Sequence, residues 1–338
     1  MPSSDDVATS KAIQQRTGAT FHVATRLLPE RVRHATYVLY AFFRVVDEIV
    51  DDPDGDAADQ ERELARVRSV VLDGEPTDDA VLAAFCDLRE TYDIDDEEVR
   101  SFLDAMAMDV DPDGYDTHDD LSRYLRGSAV AVGYMMLDVM ADEYDLAADD
   151  VDAARPHARA LGEAFQLTNF LRDVREDVRE YGRVYLPRAT LDAHDVDESE
   201  VRALSFSARF ADAMRAELRR TERRYREGVE GIAYLPEDCQ FGVLLAAVLY
   251  ADHHRLIRER GYDTLSARPT LSTPRRLYLA ATTWYHWRRT GDPVEAFYAA
   301  SALSRPGTRH EGGRRARRTG AVRTRARRAV SSLRGVWE

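Results

Sequence analysis

Apolar residues recur along most of the chain at intervals of three and four, which is the period of an amphipathic α-helix. The pattern predicts nine helices, over 29–51, 57–72, 78–91, 95–109, 117–141, 150–181, 197–229, 238–260 and 273–288. Runs rich in Asp, Pro and Gly separate these segments. No segment alternates apolar and polar residues in the manner of a half-buried strand, so the pattern predicts an all-α protein.

The helical pattern stops near residue 300, where the chain becomes rich in Gly and Arg. We therefore expect one all-α domain over 1–300 and a flexible tail over 301–338. The longest apolar runs, 129–141 and 241–251, are shorter than the ~20 residues that a membrane-spanning helix needs. The first residues are polar and acidic, without a secretory signal, so the expected location is cytoplasmic. Two cysteines are too few for a disulfide framework or a zinc site.

Charge is unevenly distributed along the chain. Residues 305–338 hold eleven Arg and two Glu, a local charge of +9, so the −14 of the whole chain leaves −23 on residues 1–304. Lys11 is the only lysine. Abundant carboxylates with almost no lysine suggest a halophilic protein, because salt screens the repulsion between acidic groups. A GC-rich coding sequence would also favour Arg over Lys, and this explanation stays open.

The segment 162–179 sorts its side chains onto two faces when each residue is turned by 100°. An apolar face, suited to core packing, holds Leu167, Leu171, Val174 and Val178. A separate face, within an arc of roughly 80°, holds Gln166, Asn169, Asp173 and Asp177. This second face carries the oxygen ligands of a metal site.

The segment 38–52 repeats the arrangement, with Tyr40, Arg44, Asp47 and Asp51 inside an arc of roughly 60°. Carboxylates four residues apart lie ~6 Å from each other. Such a pair suits Mg²⁺, which takes one or two carboxylates together with phosphate oxygens and water. Two pairs facing each other would clamp a diphosphate and let a carbon–oxygen bond ionise, with Arg44 or Arg172 taking part of the phosphate charge.

An acidic helical binding protein is the non-enzymatic alternative. Sixty-one acidic residues make carboxylate pairs common by chance, and most such pairs lie on solvated faces. Asp47, however, follows the apolar run YVLYAFFRVV, which leaves few places outside a core. An unpaired carboxylate there would cost several kcal/mol, so it needs partners.

Together these residues resemble the motifs of the squalene/phytoene synthases, all-α isoprenoid synthases that join two prenyl diphosphates head to head. The family's pattern LG-x3-Q-x2-N-x2-RD-x3-D, followed by R-x-Y-x-P, is matched over 161–187, and its pattern Y-x3-R-x2-D-x3-D over 40–51. The stretch YLRGSAVAVG (124–133) resembles the helix that lines the prenyl tunnel. The stretch TFHVATRLLP (20–29) resembles the N-terminal substrate-binding segment. This resemblance covers about residues 10–290 and implies a single-domain helical bundle with a central active-site cavity.

The resemblance also implies the chemistry. Mg²⁺, or Mn²⁺ in its place, would hold the diphosphates of two allylic substrates on the Asp pairs. Loss of one diphosphate gives an allylic cation, which alkylates the second molecule to a cyclopropylcarbinyl diphosphate, and a second ionisation rearranges the ring. Loss of a proton then gives phytoene from two C20 units. Hydride from NADPH would instead give squalene from two C15 units.

Roles for individual residues follow from the same resemblance. The implied metal ligands are Asp47, Asp51, Asp173 and Asp177. The implied reacting centre adds Tyr40, Arg44, Gln166 and Asn169. The implied substrate contacts are Thr20, Phe21, Arg44, Tyr124, Arg172, Arg183, Tyr185 and Arg268. Simpler structural roles stay open for five of the matched positions: anchoring a helix end for Arg183 and Tyr185, core packing for Tyr124, and close helix packing for Gly127 and Gly133.

The stretches GRVYLP (182–187) and VVDEIVDD (45–52) look more like the phytoene-forming branch, of the type found in halophilic archaea. We therefore expect a prenyltransferase that makes phytoene, the first committed step of carotenoid biosynthesis. A squalene or dehydrosqualene synthase using two C15 diphosphates is the alternative, and squalene formation would need NADPH.

The Arg-rich tail suits anionic lipid headgroups, each Arg contributing ~1 kcal/mol near the surface. A hydrocarbon product must reach a membrane, so we expect peripheral membrane contact and no nucleic-acid partner. Nucleic-acid binding and a purely solubilising role are the alternatives for the tail.

Two other patterns are weaker. The segment 109–121 matches a calcium loop in part, but Pro112 and an Asp at the last ligand position favour an acidic loop. His253 and His254 are adjacent and so point to different helix faces, which argues against a shared metal.

Overall fold

The computed structural model describes residues 24–52 and 55–305, and every regular element within those ranges is helical. The all-α prediction is confirmed. In chain order the helices are α1 (Glu30–Val50), α2 (Ala57–Asp73), α3 (Ala80–Thr91), α4 (Asp96–Ala107), α5 (His118–Leu125), α6 (Val132–Glu143), α7 (Ala148–Tyr181), α8 (Arg188–Asp192), α9 (Glu198–Arg202), α10 (Ala208–Glu230), α11 (Glu237–Glu259), α12 (Thr273–Thr290) and α13 (Pro293–Ala300).

Short polar side chains fix the starts of several helices. Asp79 accepts hydrogen bonds from the first amides of α3, and Thr117 forms a reciprocal capping box with Asp120 at the start of α5. Glycine ends others: Gly182 follows α7 in the left-handed conformation, with φ of 66°. These residues are the turn-type ones in the sequence, which is why most predicted helix ends lie within a few residues of the observed ones.

Three departures from the predicted helices have local causes. The helix expected over 197–229 is broken, because Leu204 adopts a left-handed φ of 55° and the Ser207 side chain caps α10. The helix expected over 117–141 is α5 and α6 joined by a π-helical turn, Arg126–Ala131. Helices α8 and α13 were not predicted, since five and eight residues show too little of the helical period.

The longest helix, α7, has 34 residues and is the centre of the fold. It is about 50 Å long and packs against α6, α10 and α11. Leu167, Leu171 and Val174 of its predicted apolar face are buried. Its polar face is turned toward a cavity that α1, α6 and α11 complete.

Helix α1 is oriented by an aromatic cluster on its other side. Phe42 is fully buried and stacks on Phe85 of α3, with ring centroids 3.7 Å apart, and it also contacts Phe102 of α4 at 5.6 Å. Burial of three aromatic rings contributes several kcal/mol to this packing. With Phe42 fixed against α3 and α4, the side chains of Tyr40, Arg44 and Asp47 line the cavity.

Candidate active site

A cavity of about 780 Å³ contains both predicted polar faces. One end is lined by carboxylates and guanidinium groups from α1, α7 and the loop before α12. The remainder is lined mainly by apolar side chains and glycines from α1, α4, α6, α7 and α11. The predicted bundle with a central cavity is confirmed, and its lining divides into a charged part and a long apolar part.

The α1 carboxylate pair, Asp47 and Asp51, lies at the C-terminal end of α1. Arg44 donates to Asp47 at 3.1 Å, and its other nitrogen lies 3.6 Å from Glu48. Burial raises the pKa of Asp47 to about 7; Arg44 opposes that rise and the Asp51 carboxylate adds to it. Asp47 lines the cavity and is paired with Arg44, so it does not lie on the fully solvated face that the binding-protein alternative required.

The α7 carboxylate pair, Asp173 and Asp177, lies one turn apart on the polar face of α7. Arg172 donates two hydrogen bonds, of 2.6 and 2.5 Å, to the carboxylate of Asp173. Asp177 differs, because no side chain among the described residues donates a hydrogen bond to its carboxylate. Burial and the neighbouring Asp173 charge raise the pKa of Asp177 to about 8.

Arg268 approaches the α7 carboxylate pair from the loop before α12. Its Nε lies 2.9 Å from Asp173, and its Nη1 lies 2.8 Å from Glu176. Together with Arg172 it places two cations on one carboxylate, at the edge of the cavity. The structure therefore brings Arg268 into the charged end, where the family resemblance implied a phosphate contact.

Arg183, for which the family resemblance implied a substrate contact, donates to protein groups in this structure. Its Nη1 donates to Asp51 at 2.7 Å, and its Nη2 donates to the carbonyls of Val50 and Asp109 at 2.7 and 3.0 Å. The side chain is 7% exposed. Arg183 thus ties the segment after α7 to the end of α1 and holds Asp51 in position.

Asp109 is the site residue that the sequence interpretation missed. Tyr124 donates to its carboxylate at 2.6 Å and Tyr185 at 3.1 Å, while Arg183 Nε lies 3.8 Å away. Burial raises the pKa of Asp109 to about 6, against the effect of Arg183. Asp109 continues the helical spacing of Phe102, which lies on the apolar face of the preceding helix. This spacing is the signal in the sequence that could have revealed a carboxylate pointing toward the core.

The two tyrosines that were expected to contact substrate hold this carboxylate, and both line the cavity. Tyr185 also stacks on Phe170, with ring centroids 3.9 Å apart. Within the calcium-loop pattern Asp109 is buried, whereas Asp111 and Asp113 are exposed.

Other predicted positions fall as follows. Gln166 and Asn169 line the cavity beside the α7 carboxylate pair, with the Asn169 amide donating to Gln166 at 3.3 Å. Gly133 lines the cavity, whereas Gly127 is a packing glycine, since a Cβ there would lie 1.9 Å from the carbonyl oxygen of Ser101. The expected contacts Thr20 and Phe21 lie outside the described residues.

The model of the squalene/phytoene synthase family matches residues 14–275. This chain belongs to that family. The 15-cis-phytoene synthase of Synechococcus elongatus is 32% identical over 278 residues, covering 79% of this chain and 88% of the relative. The phytoene synthase of Cereibacter sphaeroides is 34% identical, covering 75% and 72%. Enzymes of this family are prenyltransferases.

Solved structures agree with this assignment at the level of the fold. A dehydrosqualene synthase superposes with a TM-score of 0.74 at 24% identity, covering 84% of this chain and 97% of that one. A squalene synthase from Alicyclobacillus acidocaldarius gives a TM-score of 0.64 at 25% identity, covering 77% and 95%. The family's helical fold is therefore shared along most of the chain.

Family enzymes typically use a divalent metal, and the residues present fit one. In the described ranges no three His, Cys, Asp or Glu side chains cluster closely enough to hold an ion by themselves. Mg²⁺ needs no such cage, because it is usually held by one or two carboxylates with phosphates and water. The carbonyl oxygen of the Asn169 side chain is buried without a hydrogen-bond donor. This oxygen lies one turn before Asp173 and would offer a metal a hard ligand.

Across residues 24–52 and 55–305, every helix is too short or too polar to span a bilayer.

Proposed function

We propose that this chain is a phytoene synthase that condenses two C20 prenyl diphosphates head to head in a Mg²⁺-dependent reaction. The observation that carries the proposal is the division of the cavity. Two carboxylate pairs and several arginines lie at one end, and a long apolar remainder suits prenyl chains. The phytoene synthases that share about a third of its residues support the choice of product.

The α1 and α7 carboxylate pairs, with Asn169, would hold Mg²⁺, which supplies charge neutralisation for a departing diphosphate. Arg172 and Arg268 lie where they can leave Asp173 for phosphate oxygens, because both are hydrogen-bonded to a carboxylate that a metal would also engage. Arg44 is placed in the same way beside Asp47. The positive charge of these arginines would then offset the negative charge that develops on the diphosphate when the carbon–oxygen bond breaks.

The inner residues orient the reacting carbons and keep water away. Asp109 fixes the hydroxyls of Tyr124 and Tyr185, so their rings stay aligned against Phe170 in the wall of the cavity. Aromatic faces stabilise nearby positive charge, which suits a wall beside an allylic cation. Gln166 and Asn169 line the same cavity.

A squalene-type synthase acting on two C15 diphosphates is the second candidate, favoured by structural neighbours of that name. We further propose a catalytic unit over 1–300, a separate Arg-rich tail over 301–338, and peripheral contact of the tail with anionic membranes. The tail carries the +9 charge that such a contact would use.

Product analysis tests the proposal. The purified chain is incubated with C20 or C15 diphosphate, with and without Mg²⁺ and NADPH, and products are identified by mass. We expect a C40 hydrocarbon from the C20 substrate that needs Mg²⁺ but not NADPH. A C30 product that needs NADPH would instead establish the squalene-type activity, and no product with either substrate would reject both.

A further inference from the structure

The segment 264–291 contains no acidic residue, in a chain that has 61 of them, and it is the longest such segment in the sequence. It holds five arginines and therefore carries a local charge of +5, whereas residues 1–304 as a whole carry −23. The segment comprises the loop before α12 and all of α12. This part of the protein thus has the opposite charge from the rest of the folded chain.

Helix α12 also has an unusual outer surface. Its inner side is buried, with Leu279 and Thr283 both fully enclosed. A helix that buries one side normally exposes polar and charged residues on the other. Here the exposed side presents aromatic and basic side chains within an arc of roughly 140°. We call this set the α12 outer face: Tyr278, Trp284, Tyr285, Arg288 and Arg289.

The aromatic rings of the α12 outer face are open to solvent. Tyr278 is 42% exposed and Trp284 is 37% exposed, and both are among the few large apolar side chains exposed on the described structure. Trp284 is one of only three tryptophans in the chain. Exposed aromatic rings that lie beside cations are typical of a surface that contacts another molecule.

The two arginines at the end of α12 are available to an anionic partner. Within residues 24–52 and 55–305 no carboxylate pairs with Arg288 or Arg289, and Arg289 donates to the Tyr285 hydroxyl at 3.5 Å. Arg275, on the first turn of the helix, differs because it donates two hydrogen bonds, of 3.0 and 2.6 Å, to the buried Asp252. Helix α12 is therefore held firmly at its start and carries free positive charge at its end.

The α12 outer face is continuous with the rim of the cavity and with the start of the tail. Arg268 and Arg276 line the cavity, and the Arg268 side chain is 42% exposed, so solvent reaches the cavity beside α12. Helix α13 packs against α12, and the described chain ends at Arg305, five residues beyond α13. Five residues span at most about 17 Å. The basic tail therefore leaves the fold near the same surface.

This combination of groups fits the surface of a lipid bilayer. Trp and Tyr rings concentrate at the level of lipid headgroups, and arginines without neighbouring carboxylates are attracted to anionic lipids. Nucleic acid fits less well, because proteins that bind it typically neutralise about 6–10 phosphates, and the α12 outer face has two free arginines. A prenyl diphosphate, which joins an apolar chain to an anionic head, also collects at a bilayer surface.

We propose that the α12 outer face docks the folded protein on an anionic lipid bilayer. Trp284 enters the headgroup layer, Arg288 and Arg289 contact lipid phosphates, and the cavity rim at Arg268 lies close to the membrane. This contact adds to the one proposed for the tail. It rests on the proposed function in one respect, the prenyl diphosphate that the bilayer would supply.

Tryptophan fluorescence of the full-length chain tests the contact directly. Trp337→Phe leaves Trp284 and Trp287 as the tryptophans, and Trp287 packs inside the protein on Phe241, with ring centroids 5.5 Å apart. Vesicles that contain phosphatidylglycerol and brominated acyl chains should quench about half of the emission, because Trp284 reaches the headgroup layer. Adding Trp284→Phe should abolish the quenching. Vesicles that bind Trp337→Phe without quenching it would overturn the proposal, since the tail alone would then make the contact.

Vesicle sedimentation measures the contribution of the arginines. Each Arg near an anionic surface strengthens binding by about fivefold, so Arg288→Gln with Arg289→Gln should weaken binding about 25-fold at ~0.1 M KCl. The matched control is Arg219→Gln with Arg223→Gln, both exposed on α10, which should change binding by less than about twofold. Equal losses in the two double variants would overturn the proposal, as would equal binding to vesicles of phosphatidylcholine alone.

The aromatic contribution is separable because salt does not screen it. Tyr278→Ala with Trp284→Ala should weaken binding about tenfold at both ~0.1 and ~2 M KCl. Phe206→Ala is the matched control, since Phe206 is as exposed as Tyr278, at 42%, but lies before α10. Circular dichroism at each salt concentration confirms that every variant is folded. A loss no larger than that of Phe206→Ala would overturn the role of the rings.

The two proposals fail separately. Vesicle binding that depends on α12, in a protein that forms no C40 product, rejects only the proposed function. C40 synthesis in a protein whose vesicle binding is unaffected by the α12 variants rejects only the docking surface.

Discussion

The two carboxylate pairs look alike in sequence, four residues apart on a helix, but they are held differently. In the α1 pair each carboxylate has an arginine partner, Arg44 for Asp47 and Arg183 for Asp51. In the α7 pair both nearby arginines bind Asp173, and Asp177 receives no side-chain hydrogen bond from the described residues. The α1 pair is therefore pre-positioned by arginines, whereas in the α7 pair Asp177 receives no side-chain hydrogen bond from the described residues and holds its proton to a higher pH.

The largest expected effect comes from removing one carboxylate of either pair. Asp47→Asn and Asp177→Asn should each lower kcat by about 10³-fold, because a metal ion supplies several kcal/mol of charge stabilisation. Steady-state assays at saturating Mg²⁺ measure this. The matched control is Asp150→Asn, exposed on the first turn of α7. Normal turnover in Asp177→Asn would contradict an equal need for both pairs.

Arg183→Gln would break the anchoring that distinguishes the α1 pair. Loss of one partner of a buried ion pair costs about 3–5 kcal/mol, so the free energy of unfolding should fall by about 3 kcal/mol. Urea denaturation followed by circular dichroism measures it. Arg202→Gln removes an exposed pair with Glu198 and should cost less than about 1 kcal/mol. An equal loss in the free energy of unfolding for the two variants would show that Arg183 does not hold Asp51 in position.

The α7 pair predicts a pH dependence in the metal-free protein. The folded pKa of Asp177 is raised to about 8 by burial and by Asp173. The folded state therefore holds this proton more tightly than the unfolded state, and stability is lost as pH rises toward 8. Asp177→Asn should raise Tm at pH 8.5 in EDTA and make little difference near pH 4. A Tm gain that is independent of pH would mean that ionisation is not the cause.

The smallest expected effect concerns the surface rather than either pair. With −23 on residues 1–304, the metal-free protein should gain stability between about 0.1 and 2 M KCl, as the screening length falls from ~10 Å to below ~3 Å. Thermal unfolding at several KCl concentrations tests this. A melting temperature that does not change with KCl concentration would favour a GC-rich coding sequence as the explanation for the shortage of lysine.

Much of the fold and part of the site follow from local patterns in the sequence. Helix periods and turn residues predict most of α1–α12, and the spacing of Asp173 and Asp177 predicts a shared face. Asp109 could not be assigned from sequence, because its partners Tyr124 and Tyr185 are 15 and 76 residues away. The partners Arg183 and Arg268 depend in the same way on which loops fold back toward the cavity, since they are 132 and 95 residues from Asp51 and Asp173.

The π-helical turn Arg126–Ala131 also constrains how this chain can vary. A π turn places an extra residue in a helix, so it shifts the phase of everything that follows by about 100°. Loss of one residue there would rotate α6 and carry Gly133 away from Ala158, even though α6 itself would be unchanged. We therefore expect single-residue deletions to be tolerated least at this turn. Point substitutions in α6, by contrast, should have mainly local effects.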